Sequence, residues 1–126
     1  MKYDTNFAVA IDFDNTITIN STYEKTGELD PVAAEYIKKL KALGCKLILW
    51  TCREEKDLEE AINLIHKWQL PFDYINEYPL RGNSKKVNVD FYIDDKSYIK
   101  PICWQEILQY IKNRINISIP KLEESK

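Results

Sequence analysis

Four short apolar runs, each giving way to polar residues, set the rhythm of the chain. Phe7–Ile11 runs into Asp12-Phe13-Asp14-Asn15-Thr16, and Lys46–Trp50 into Thr51. Phe72–Asn76 is weaker, and Val89–Ile93 ends in Asp94-Asp95. Runs of this length without Gly or Pro read as buried strands of a mostly parallel sheet. Helical spacing fills the gaps. Asp30-Pro31 supplies an N-cap and a first-turn proline. Val32, Ala33, Tyr36, Ile37, Leu40 and Leu43 then follow as an apolar stripe, stopped by Gly44. A second helix is predicted over Glu54–Gln69, with Leu58, Ala61, Ile62, Ile65 and Trp68 on one face and an acidic first turn. A third is predicted over Pro101–Arg114, with Ile102, Ile107, Leu108 and Ile111 inward. The β-branched segment Ile17–Leu29 has a turn-prone centre and reads as a hairpin, and Pro79–Ser84 as a loop. Strands alternating with helices predict a three-layer α/β sandwich around a mostly parallel, Rossmann-like sheet with right-handed crossovers.

Composition narrows the class. The 126 residues suit one domain, 1–126, with a frayed polar tail over 117–126. Hydrophobic residues make up 44% and charged residues 30%, with a net charge of −2, so bulk charge favours neither nucleic acid nor an anionic membrane. Nucleic acid stays open because Arg81, Lys85 and Lys86 lie close together. No apolar run approaches the roughly 20 residues of a membrane span, and the first residues lack a signal-peptide core. Three irregularly spaced cysteines argue against a disulfide framework and for a reducing, cytoplasmic setting. Cys45, Cys52, Cys103 and His66 form no zinc pattern.

The strand ends carry the chemistry. Alternation in an extended chain puts Asp12 and Asp14 on one side, and Asp94 and Asp95 close another strand. In a parallel sheet these ends face the usual ligand crevice. Clustered carboxylates repel unless a cation lies between them, and oxygen-only donors suit Mg²⁺, which keeps waters and binds substrate phosphate. One carboxylate would then attack phosphorus and another would handle the proton on the leaving oxygen. Thr51 would donate to a phosphoryl oxygen, and a lysine would offset the developing charge.

Asp12-Phe13-Asp14-Asn15-Thr16, Thr51, a lysine and Asp94-Asp95, in that order, resemble the four motifs of the haloacid dehalogenase-like (HAD) phosphohydrolases. Asn15 stands where glycine is common in that family. The resemblance spans Phe7 to about Asp95. It implies Asp12 as nucleophile and Asp14 as general acid/base, with Thr51 and Lys86 (or its neighbour Lys85) completing the catalytic set. It implies Mg²⁺ held by the Asp12 carboxylate, the Asp14 carbonyl and Asp94, with Asp95 supporting the metal waters or the lysine. Phe13, Thr16, Tyr23, Cys52 and Arg53 are the substrate-contact candidates. Neither the Ile17–Leu29 segment nor the Pro71–Ser84 loop has room for the cap domain of larger relatives, so a small, capless member with an open site is expected. Its substrate would be a phosphorylated small molecule, a nucleotide or a macromolecular end-phosphate. The alternatives are a catalytically silent binding module on the same fold, or a phosphorylatable receiver-like signalling domain. In the receiver the acidic pair comes first in the chain, whereas here it comes last.

Overall fold

The computed structural model describes residues 7–22, 24–82, 87–94 and 102–118. The expectations for Tyr23, Lys85, Lys86 and Asp95, and for the tail beyond Ser118, lie outside these residues. In chain order the elements are β1 (Ala8–Asp12), β2 (Thr18–Ile19), β3 (Glu28–Leu29), α1 (Pro31–Ala42), β4 (Lys46–Trp50), α2 (Glu55–Lys67), β5 (Tyr74–Ile75), a 3₁₀ turn (Pro79–Arg81), β6 (Phe91–Ile93) and α3 (Trp104–Ser118). The main sheet runs β5-β4-β1-β6, every pairing parallel, and β2 and β3 form a separate antiparallel hairpin. The Rossmann-like α/β architecture expected from the sequence is the one found.

The chain steps from β1 outward to β4 and β5, then crosses back over β1 to β6. Right-handed crossovers in one direction place α1 and α2 on the same face of the sheet. Their buried residues, Ile37, Leu40, Ala61 and Ile65, join Ile107 and Ile111 of α3 in one cluster with Val9, Ile11, Leu47 and Leu49. The opposite face presents Ala8, Ala10 and Ile48, and is covered by Tyr78, Val87, Tyr74 and Tyr92. The third layer of the sandwich is therefore loop and 3₁₀ turn among the described residues. Two alanines on β1 make room for that aromatic cover, with Tyr74 and Tyr78 edge-to-face at 5.5 Å.

Local signals explain the boundaries. Asp30 Oδ1 accepts the Val32 N–H at 3.0 Å, capping α1 as predicted, and Gly44 adopts φ 95° just beyond its end. β5 is shorter than the apolar run because Asp73 turns its carboxylate inward, accepting the Leu47 N–H at 2.8 Å and pairing with Lys41. β6 starts at Phe91 rather than Val89 for a similar reason: Asp90 accepts the Ala8 N–H through Oδ2 and donates its own N–H to the Ala8 carbonyl. α3 runs past the predicted Arg114 because Ile107, Ile111 and Ile115 continue the buried stripe. None of the described helices is long and apolar enough to cross a membrane.

Candidate functional site

β1 lies between β4 and β6, so three polar strand ends stand side by side. Asp12 closes β1 opposite Trp50, and Thr51 follows directly. Ile93 pairs with Ile11, so Asp94 leaves β6 alongside Asp12. Neighbouring strands are about 4.8 Å apart and register partners face the same side, so Asp12 and Asp94 stand at adjacent strand ends. β1 is also where the strand order reverses, the position at which open α/β sheets bind ligands.

After Asp12 the chain turns sharply. The Phe13 carbonyl accepts N–H groups from Thr16, Ile17 and Thr18, folding 13–18 into a tight loop. Asn15 holds φ 58° there, a left-handed conformation that glycine or asparagine tolerates. Its side-chain amide pairs both ways with the Ser21 backbone, at 2.9 and 3.1 Å, tying the loop to the hairpin. Gly27 is demanded by sterics, since a Cβ there would lie 1.9 Å from the Ile19 carbonyl oxygen.

Asp12, Asp14, Thr51, Cys52 and Arg53 line one open cleft of about 920 Å³. Its other walls are the hairpin residues Ser21, Thr22, Lys25 and Thr26 and the α2 residues Asp57 and Glu60. Thr51 is nearly buried. Its N–H is fixed by Asn76 Oδ1 at 2.8 Å and its Oγ accepts the Arg53 N–H at 3.2 Å. The hydroxyl of this cleft-lining residue can still act as a donor.

Arg53 has the most constrained side chain of the site. Nε donates to Asp14 Oδ2 at 2.8 Å and Nη2 to Asp14 Oδ1 at 2.7 Å, a bidentate pair. Nη2 also donates to Thr26 Oγ at 2.8 Å, and Nη1 to Glu60 Oε1 at 3.0 Å and to the Asp57 carbonyl at 3.1 Å. The guanidinium lies over the Phe13 ring, which stacks on Trp68. The hydrogen bonds from Arg53 hold the Asp14 carboxyl below the usual carboxylate range, against an opposing push from partial burial.

Two of the substrate-contact candidates serve the protein instead. The Phe13 ring is fully buried between Arg53 and Trp68, and Phe13 is not among the residues that line the cleft. Thr16 is 3% exposed, and its hydroxyl donates to Asp12 Oδ2 at 3.3 Å, orienting that carboxylate. Cys52 is exposed on the cleft wall. Sequence reasoning missed Asn76, Thr26 and Glu60. Asn76 follows β5 as Thr51 follows β4, so a polar residue closing a weak strand was the available signal. Nothing in the local sequence marks Thr26 or Glu60.

Among the described residues no three His, Cys, Asp or Glu side chains converge into a ready metal cage. The donors that the resemblance implies are the Asp12 and Asp94 carboxylates and the Asp14 carbonyl. An oxygen-only set with two carboxylates fits Mg²⁺, which takes one or two from the protein and fills its octahedron with water and phosphate.

No family model matches the chain, and no curated protein does. A solved structure of a conserved protein coded by a locus of Bacteroides thetaiotaomicron matches it at 37% identity and a TM-score of 0.73, over 85% of this chain and 90% of that one.

Proposed function

The chain belongs to the same family as that conserved Bacteroides thetaiotaomicron protein, and we propose that it is a Mg²⁺-dependent phosphohydrolase of the haloacid dehalogenase-like type, without a cap domain. The observation that carries this reading is the convergence of Asp12, Asp14 and Thr51 on one cleft, with Asp94 leaving the neighbouring strand beside Asp12. Bound Mg²⁺, held by Asp12, Asp94 and the Asp14 carbonyl, would neutralise phosphate charge and let an anionic nucleophile approach it.

The protein's own groups then divide the work. An Asp12 oxygen, oriented by Thr16, attacks phosphorus as the bond to the leaving oxygen breaks, giving an aspartyl-phosphate. The leaving oxygen takes a proton delivered by Asp14. Water then attacks phosphorus and gives a proton to Asp14, which frees inorganic phosphate and restores the Asp12 carboxylate. Thr51 donates its free hydroxyl proton to a phosphoryl oxygen. Each Asp14 oxygen keeps a lone pair outside the Arg53 fork, so the pair does not block proton transfer. With its carboxyl held below the usual range by Arg53, Asp14 is suited to the second step directly, and to the first only after it has gained a proton.

The test is release of phosphate from p-nitrophenyl phosphate and from a panel of sugar phosphates, nucleotides and phosphorylated oligonucleotide ends. Mg²⁺-dependent turnover is expected. Full activity in excess chelator overturns the metal site, and no turnover on any substrate leaves the silent binding module standing.

A further inference from the structure

We propose that Arg53 is a positioning residue for Asp14 and makes no contact with substrate; the assignment rests on the phosphohydrolase reading above. A guanidinium has five N–H donors. Here Nε and one Nη2 donor go to the two Asp14 oxygens, the second Nη2 donor to Thr26, and the Nη1 pair to Glu60 and the Asp57 carbonyl. None is left for a phosphoryl oxygen. An arginine beside a phosphate cleft is usually a candidate for gripping the anion through its planar fork. This one turns the fork onto a carboxylate that lines the same cleft.

Its own support is equally specific. Thr26 Oγ accepts from Arg53 and donates to Glu60 Oε1 at 2.9 Å, so hairpin, α2 and guanidinium close a triangle. The Phe13 ring beneath fixes the plane of the fork at 5.0 Å. Asp14, in a turn beyond the end of β1, has no strand pairing to hold it. Without the fork its carboxylate, on a side chain more than a third exposed, keeps only the single hydrogen bond from Ser21 and loses its bidentate orientation. Proton transfer needs heavy atoms within hydrogen-bond reach, so loss of orientation acts on turnover more than on binding. The arrangement thus assigns Thr26 and Glu60, distant in sequence, to keeping the Asp14 carboxylate aimed.

The experiment compares Arg53→Ala, Arg53→Lys and Glu60→Gln with the parent protein in Mg²⁺. It measures kcat and KM on p-nitrophenyl phosphate and on an alkyl phosphate, with inorganic phosphate as competitive inhibitor. Arg53→Ala should lower kcat by up to about 100-fold while KM and phosphate inhibition stay within about twofold. The loss should be greater on the alkyl phosphate, and millimolar guanidinium should restore part of it. Glu60→Gln should shift kcat in the same direction by less. A rise of about tenfold in both KM and the phosphate inhibition constant, with kcat intact, would show that Arg53 grips substrate and overturn the assignment. If Arg53→Ala does not fold, Arg53→Lys, which keeps the charge and loses the fork, carries the same comparison. Should the parent protein turn over nothing, the phosphohydrolase reading fails. The pair itself is then judged by NMR: a slowly exchanging Arg53 Nε–H signal that Asp14→Asn abolishes supports it, and no protected signal in the parent overturns it.

Discussion

Asp90→Ala tests how the sheet is held at the end opposite the cleft. Asp90 Oδ2 accepts the Ala8 N–H at 2.8 Å and Arg81 Nη2 at 2.7 Å. Ala8 is fully buried, so without this acceptor its N–H faces neither water nor another partner. An unsatisfied buried donor costs about 1–3 kcal/mol, whereas a half-exposed ion pair such as Arg81–Asp90 is worth under about 1 kcal/mol. Asp90→Ala should therefore lose about 2–3 kcal/mol. Asp90→Asn, whose amide oxygen can still accept from Ala8, should lose about 1 kcal/mol, and Arg81→Ala no more than that. At this chain length that corresponds to roughly 3–5 °C in Tm per kcal/mol.

The same carboxyl predicts a pH window. Burial pushes the Asp90 carboxyl up, but Arg81 and the Ala8 N–H together bring it below the ordinary range. A folded-state pKa below the unfolded one gives stability that is present above about pH 4 and is lost as pH falls through the folded value. The gap between the parent protein and Asp90→Asn should accordingly close on acidification. Urea unfolding followed by circular dichroism between pH 3 and about pH 7 measures both effects. Equal losses for Asp90→Ala and Asp90→Asn, or a gap that widens in acid, would refute the reasoning.

Asn76→Ala removes the acceptor for the Thr51 N–H. It should lower kcat/KM by about tenfold or more while costing about 1 kcal/mol of stability, read by kinetics and melting on the same samples. Chelation should abolish phosphate release and Mg²⁺ should restore it, whereas Ca²⁺, with longer and looser coordination, should restore little. Lys86→Ala should cost about 100-fold in kcat/KM and Lys85→Ala about tenfold or less, which the two single variants assayed on one substrate will separate.

Much of the fold was legible because each strand and helix carries its own signal. The Phe7–Ile11 and Lys46–Trp50 runs, the Asp30-Pro31 cap and the Gly44 stop all act within a few residues, and the structure follows them. Val89 and Phe72 were misplaced into strands because side chains distant in sequence decide those boundaries. Asp90 and Asp73 spend their carboxylates on the backbones of β1 and β4, which no local pattern announces. The same holds at the site. Asp12, Asp14 and Thr51 are visible as polar residues closing apolar runs. That Arg53 faces Asp14, or that Phe13 sits beneath it, depends on side-chain directions set by the turn at 13–18 and the start of α2. What covers each sheet face is settled by topology rather than by local pattern. Two crossovers in the same direction put α1 and α2 on one face, and among the described residues the return to β6 brings loop and 3₁₀ turn to the other.

The most direct test of the account is the covalent state of Asp12 during turnover. The protein is mixed with Mg²⁺ and a phosphate-labelled substrate, quenched in acid within the first turnovers, reduced with borohydride and mapped by mass spectrometry. Label on the protein and reduction of Asp12 to homoserine are expected, with both lost in Asp12→Asn. Phosphate release with label on another residue, or with Asp12→Asn fully active, would contradict it.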